Sequence, residues 1–218
     1  MKKIFLFFSF LCLAGATFCQ IPASSYDSSF RTLYKELALH PWHRNSRGIF
    51  QDSVIRRWDR DIAIFVEGGS SKDRREILDK LKNTIAFLSP ALSNKIRISF
   101  AVDKSAANYL ISLTHYGING WHLTWDGLNN IYNCSVNINT RLTFNRDQQA
   151  ALASHYLLHS LGDFVSMSNT APVVSNMRYW RQDLNDIDLQ IVRLHYSDNI
   201  KPGMAKKDID KVFSAQSN

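Results

Sequence analysis

His155-Tyr156-Leu157-Leu158-His159-Ser160-Leu161-Gly162 closes an apolar helix, and the rest of the chain can be read outward from it. Asn145 is a good N-cap, with Asp147 in the first turn, where the helix dipole favours a negative charge, and Gln148 three residues on. Ala150, Ala151, Leu152, Ala153, Leu157, Leu158 and Leu161 leave almost no polar face, so the helix is expected to be buried on most sides. Gly162 reads as its left-handed terminator. His155 and His159 stand four apart and share one helical face. Two imidazoles at that spacing can hold one zinc ion through ring nitrogens at about 2.0–2.1 Å, or they can be two buried histidines with hydrogen-bonded rings. Spacing alone leaves both readings open.

Upstream, Ile62–Val66 is a short continuous apolar run closed by Gly68 and Gly69, which predicts a strand covered on both faces. Ser70 or Ser71 then caps a helix in which Ile77, Leu78, Leu81, Ile85 and Leu88 repeat at helical spacing, until Pro90 ends it. Ile96, Ile98, Phe100 and Val102 alternate with Arg97, Ser99 and Ala101, predicting a second strand, and Asn108–Thr114 predicts a third. His115–Asn130, with three glycines and two tryptophans, reads as a long turn or hairpin. Tyr132, Cys134, Val136 and Ile138 alternate with polar residues in a half-buried strand, which makes Cys134 a buried, inert thiol. Leu184, Ile187, Ile191 and Leu194 form the stripe of a last helix capped by Asn185. Tyr34–Leu39 predicts only a helical turn or two before Pro41. The order of elements gives an α+β fold, a mixed sheet with helices, rather than a doubly wound one.

The whole chain has 218 residues, 45% of them apolar and 21% charged, as expected of a globular protein and not of a disordered one. Lys2 and Lys3 precede an apolar run from Ile4 to Ala16, the pattern of a secretory signal peptide with cleavage after Cys19. The run is shorter than the roughly 20 apolar residues of a membrane span. Residues 1–19 are therefore expected to be removed, 20–53 to form a lead-in, 54–204 the folded domain and 205–218 a tail. The mature chain keeps 24 of the 26 basic residues against 19 acidic ones, a net charge of +5, and Cys134 without a disulfide partner. Localisation is expected to be periplasmic or extracellular.

The helix motif resembles that of the metzincin zinc peptidases, His-Glu-x-x-His-x-x-Gly, with the glycine in place and Tyr156 where the glutamate stands. Ser175-Asn176-Met177 falls where those enzymes carry the methionine beneath the metal. Leu184-Asn185-Asp186-Ile187-Asp188 through His195-Tyr196-Ser197 resembles their last helix. Arg57-Trp58-Asp59 leading into Ile62–Val66, and Asn199-Ile200-Lys201-Pro202-Gly203-Met204, resemble the opening and closing motifs of secreted bacterial domains related to these peptidases. The resemblance covers residues 54–204 and implies a metzincin-like fold: a twisted mixed sheet, a long helix, a buried active-site helix and a C-terminal helix. It implies zinc at His155 and His159. The pattern's third ligand position holds Val165, which leaves Asp163 as a candidate, equally readable as a cap-region aspartate. Met177 would pack beneath the histidines with or without metal.

In such enzymes the glutamate takes a proton from metal-bound water and passes it to the leaving amine, which is worth roughly 10²–10⁴ in rate. A phenol with an ordinary pKa near 10 is a poor base at neutral pH, so Tyr156 reads as a packed aromatic or, in an enzyme, an oxyanion donor. Three functions follow as expectations. The first is a secreted domain without efficient peptidase activity that binds a peptide or envelope partner, the peptide adding as a strand at an edge near Asn108–Thr114. The second is an active zinc peptidase with an atypical site. The third is a basic, envelope-associated adhesive module using Arg56, Arg57, Arg60 and the lysine-bearing helix. Nucleic acid is not an expected partner, because the chain is exported and its basic residues are mixed with acids. His40, His43, His115 and His122 read as surface histidines.

Overall fold

A computed structural model describes residues 26–39, 53–92, 95–143, 145–165 and 184–214. Residues 1–19, where a signal peptide is expected, and His40, His43 and Met177 lie outside the described residues. The fold is mixed α/β, built on a largely parallel sheet with helices. Its elements in chain order are α1 (Ser28–Ala38), β1 (Arg57–Trp58), β2 (Ile62–Gly68), α2 (Ser71–Leu88), β3 (Ile98–Phe100), β4 (Tyr109–Thr114), β5 (Gly120–Trp125), β6 (Asn130–Asn139), α3 (Arg146–Ser160), α4 (Asp186–His195) and α5 (Lys206–Ser214).

The strands run β1-β6-β4-β2-β3, all neighbours parallel, and β5 pairs antiparallel with the other side of β6. Alternate residues of β2 and β4 (Ile62, Ile64, Val66; Tyr109, Ile111, Leu113) face a core that the helices cover, while their neighbours are only half-buried. The expectation that β2 is covered on both faces is thereby corrected. Helix α2 starts at Ser70 in a capping box with Asp73, and Ile77, Leu81 and Leu88 seat it in the core. No described helix is long and apolar enough to cross a membrane.

Several boundaries differ from their sequence readings. Val102 is exposed and β3 stops at Phe100, two residues before the alternation ends. Asn108–Thr114 is not a sheet edge: β4 lies between β2 and β6, and the edge next to α3 belongs to β5, inside the stretch expected to be a long turn or hairpin. Period-2 patterning cannot tell an interior strand from an edge one. A bulge between Thr124 and Trp125 shifts the β5–β6 register, so Ile131 points into the core and Tyr132 out to solvent, reversing its expected orientation. In α4, Ile187 is likewise exposed, and the buried stripe is Asp188, Ile191, Val192, Leu194 and His195.

The packed body extends beyond residues 54–204. Tyr34 and Leu37 of α1 and Ile209 and Phe213 of α5 belong to the same core as the sheet. Lys35 pairs with Asp210 at 2.8 Å, and Arg31 reaches the Phe213 carbonyl, so the two helices hold each other.

Candidate functional site

Helix α3 begins as expected: the Asn145 side chain accepts a hydrogen bond from the Gln148 amide. Its last turns are buried, so the carbonyls that end the helix need partners. Trp58 Nε1 donates to the Ser160 carbonyl at 2.9 Å, and Tyr196 Oη donates to the Leu161 carbonyl at 2.7 Å. Aromatic side chains from β1 and from just beyond α4 thus cap the helix that carries both histidines.

The residue after the helix corrects a sequence reading. Gly162 does not adopt the left-handed conformation; Asp163 does, with φ of 52°. Gly162 is required for closeness instead. A Cβ there would lie 2.5 Å from the Phe164 ring and 2.7 Å from His195 Nε2. The tight turn lets the Phe164 amide donate to the His159 carbonyl and its carbonyl accept from His159 Nδ1 at 2.6 Å.

His155 and His159 are brought together, with ring centroids 4.2 Å apart, and both rings are buried. A carbonyl can only accept, so Nδ1 of His159 carries the proton and Nε2 presents a lone pair. That Nε2, and both nitrogens of His155, have no hydrogen-bond partner among the described residues. Burial depresses both histidines, to about 2 for His155, where His159 adds a smaller push, and to about 4 for His159. Both are neutral at physiological pH, the protonation state a metal ligand needs.

His195 shows what a structural histidine looks like in this core. Its Nε2 donates to the Arg56 carbonyl at 2.9 Å, which leaves Nδ1 to accept from Tyr34 Oη at 3.0 Å. Every nitrogen of that ring is partnered. An unpartnered buried N–H costs roughly 1–3 kcal/mol, and among the described residues His155 carries one.

Trp121 of β5 packs over the histidine face, its ring centroid 4.9 Å from that of His159 and 5.3 Å from that of Tyr156. Its indole Nε1 is also buried without a partner among the described residues. Trp121 lies in the stretch read as a long turn or hairpin, and sequence reading assigned it no role at the site. The alternation of Trp121, Leu123 and Trp125 was the available signal, hidden by flanking glycines. Tyr156 is 2% exposed, and desolvation pushes its phenol up to about 12.

Asp163 is paired instead with Arg56, 3.5 Å away, and both side chains are buried. Arg56 also lies over the Trp125 ring, 4.4 Å from its centroid. Among the described residues no three His, Cys, Asp or Glu side chains are grouped so as to hold a metal ion. The histidine pair fits a zinc ion by its donor chemistry, two neutral imidazoles with free lone pairs, one of them oriented by a second partner. His115 bonds Thr140, and His122 is exposed on β5; neither joins the pair. Cys134 is buried, and its thiol is raised far above the usual range by desolvation. Of the arginines expected to form an adhesive surface, Arg56 is buried and Arg57 donates to the His195 and Ser197 carbonyls, leaving Arg60 exposed beside Asp59.

The chain matches no model of a known protein family, and no curated protein is significantly similar to it.

Proposed function

We propose that this is an exported, metzincin-like domain whose histidine pair holds zinc and which has lost efficient peptidase activity, acting by binding a peptide or envelope component. One observation carries the reading: His155 and His159 bring three buried ring nitrogens, unpartnered among the described residues, to one helix face, beside a histidine, His195, whose nitrogens are all satisfied. The long α2, the buried α3 and the mixed sheet agree with the expected fold. Bound zinc supplies Lewis acidity to an oxygen lying against it. Among the described residues at the histidine pair, none supplies the base that peptide hydrolysis needs. Tyr156 occupies the glutamate position with a phenol held protonated by burial against Trp121, and Asp163 is engaged by Arg56.

The peptide partner fits β5. Its outer edge is unpaired among the described residues, so an extended segment can add there next to Trp121 and α3. The testing experiment is elemental analysis of protein purified without a histidine tag, alongside casein cleavage with and without a chelator. Stoichiometric zinc, lost in His155→Ala and His159→Ala, with no cleavage, supports the proposal. Folded protein that takes up no zinc overturns the metal site, and chelator-sensitive cleavage overturns the loss of activity.

A further inference from the structure

At the carboxyl end of the parallel strands, the β4–β5 and β6–α3 connections form one tip, joined by a 2.7 Å hydrogen bond between His115 Nδ1 and Thr140 Oγ1. Three large apolar side chains stand out from it: Tyr116 is 77% exposed, Ile118 80% and Leu142 55%. Such residues on a loose loop would signify little, but this loop is built. Thr114 Oγ1 and Asn137 Nδ2 donate to the Tyr116 carbonyl, Asn139 Nδ2 to that of Gly117 and Asn137 Nδ2 to that of Ile118. The Asn139 amide in turn donates to Asn119 Oδ1 at 2.7 Å. Gly117 takes a left-handed φ of 75°, which lets the chain turn back over Asn137.

The backbone carbonyls of three successive residues are thus satisfied from inside, while the apolar side chains of the same segment face out. A protein partner would accept unsatisfied carbonyls at its rim and bond to them. The interfacial layer of a bilayer takes such a segment at lower cost, since carbonyls already paired need no partner there. The charge agrees. Residues 115–119 and 140–143 hold His115 and the exposed Arg141 and no acidic residue. Glu67, at the same end of the sheet, is neutralised by Lys104 at 2.9 Å. A tyrosine, two aliphatic side chains and a flanking arginine suit the headgroup boundary of an anionic bilayer.

We propose that the Tyr116–Ile118 tip, with Leu142, inserts into the interfacial layer of an anionic phospholipid membrane and holds the protein against it. The proposal does not depend on the histidine site. Its test is cosedimentation of the purified protein with vesicles of phosphatidylcholine alone and of an equal mixture with phosphatidylglycerol. Binding to the mixed vesicles is expected to weaken about tenfold for Ile118→Ser and further for Tyr116→Ser/Ile118→Ser, with circular dichroism unchanged because both residues are exposed. Arg141→Gln is expected to reduce the preference for phosphatidylglycerol. Failure of the wild-type protein to bind either vesicle overturns the proposal, as does binding that the double variant leaves intact. Self-association abolished by the double variant, without vesicle binding, would make the tip a contact between copies and overturns it equally.

Discussion

His159 donates its Nδ1 proton to the Phe164 carbonyl across 2.6 Å, and this bond decides where the other lone pair of the ring points. Phe164 can hold that position because Gly162 allows the chain to fold back beneath the helix and Asp163 takes the left-handed turn. The tautomer is therefore a consequence of backbone geometry.

Nitrogen-detected NMR is expected to find His159 in the Nδ1–H form, with Nε2 bare, and to find no protonation of the ring until the pH nears 4. Added zinc should move the Nε2 resonance and leave Nδ1 bonded as it was. An Nε2–H tautomer at neutral pH would contradict the geometry.

The buried histidines set a second expectation, for stability against pH. Burial lowers His155 to about 2, His159 to about 4 and His195 to about 3, all below the 6.5 of an exposed histidine. Below pH 6.5 the unfolded chain binds protons that the folded chain refuses, so acidification favours unfolding. The contribution is fully present above that pH and is lost progressively as the pH falls towards the folded values. Each histidine adds a slope of up to about 1.4 kcal/mol per pH unit. Urea midpoints of metal-free protein measured from pH 7 downward should fall, and His195→Gln, although less stable, should show a shallower fall.

How far the sequence led differs from element to element. Helix α3 was legible because its signals are local: Asn145 at the start, an apolar run, and a glycine two residues past the end. Helix α5 was missed as a tail although Ile209 and Phe213 stand four apart, since its other residues are mostly charged and its partner, α1, lies far away in the chain. Tyr132 was assigned the wrong face because one bulge reverses every inference from alternation beyond it. At the site, the histidine pair could be read from spacing. Neither the pairing of Asp163 with Arg56 nor the cover given by Trp121 could be, because both are contacts between residues remote in sequence.

Tyr196 is expected to matter more for its hydroxyl than its ring. Tyr196→Phe leaves the buried Leu161 carbonyl without its donor while the aromatic ring still fills its place. The cost should be about 1–3 kcal/mol in chemical denaturation. Because the ring still supports Arg57, 5.7 Å away, the native fold should persist at room temperature. A neutral result would show that Leu161 finds another partner.

Gly162→Ala tests the closeness of the turn, and its outcome separates two roles for the glycine. If Gly162 were a left-handed terminator, the penalty would be backbone strain confined to the helix end. Its φ is not in that region, and the added methyl meets the Phe164 ring and His195 Nε2 instead. Phe164 must then move, taking its carbonyl away from His159 Nδ1, and His195 must loosen its bonds to Arg56 and Tyr34. Destabilisation of about 1–3 kcal/mol is expected from overpacking. The NMR signature of His159 should change with it, Nδ1–H giving way to a mixture of tautomers. A variant that loses stability while His159 keeps its Nδ1–H signal would show that the turn absorbs the methyl without passing the strain to the histidine pair.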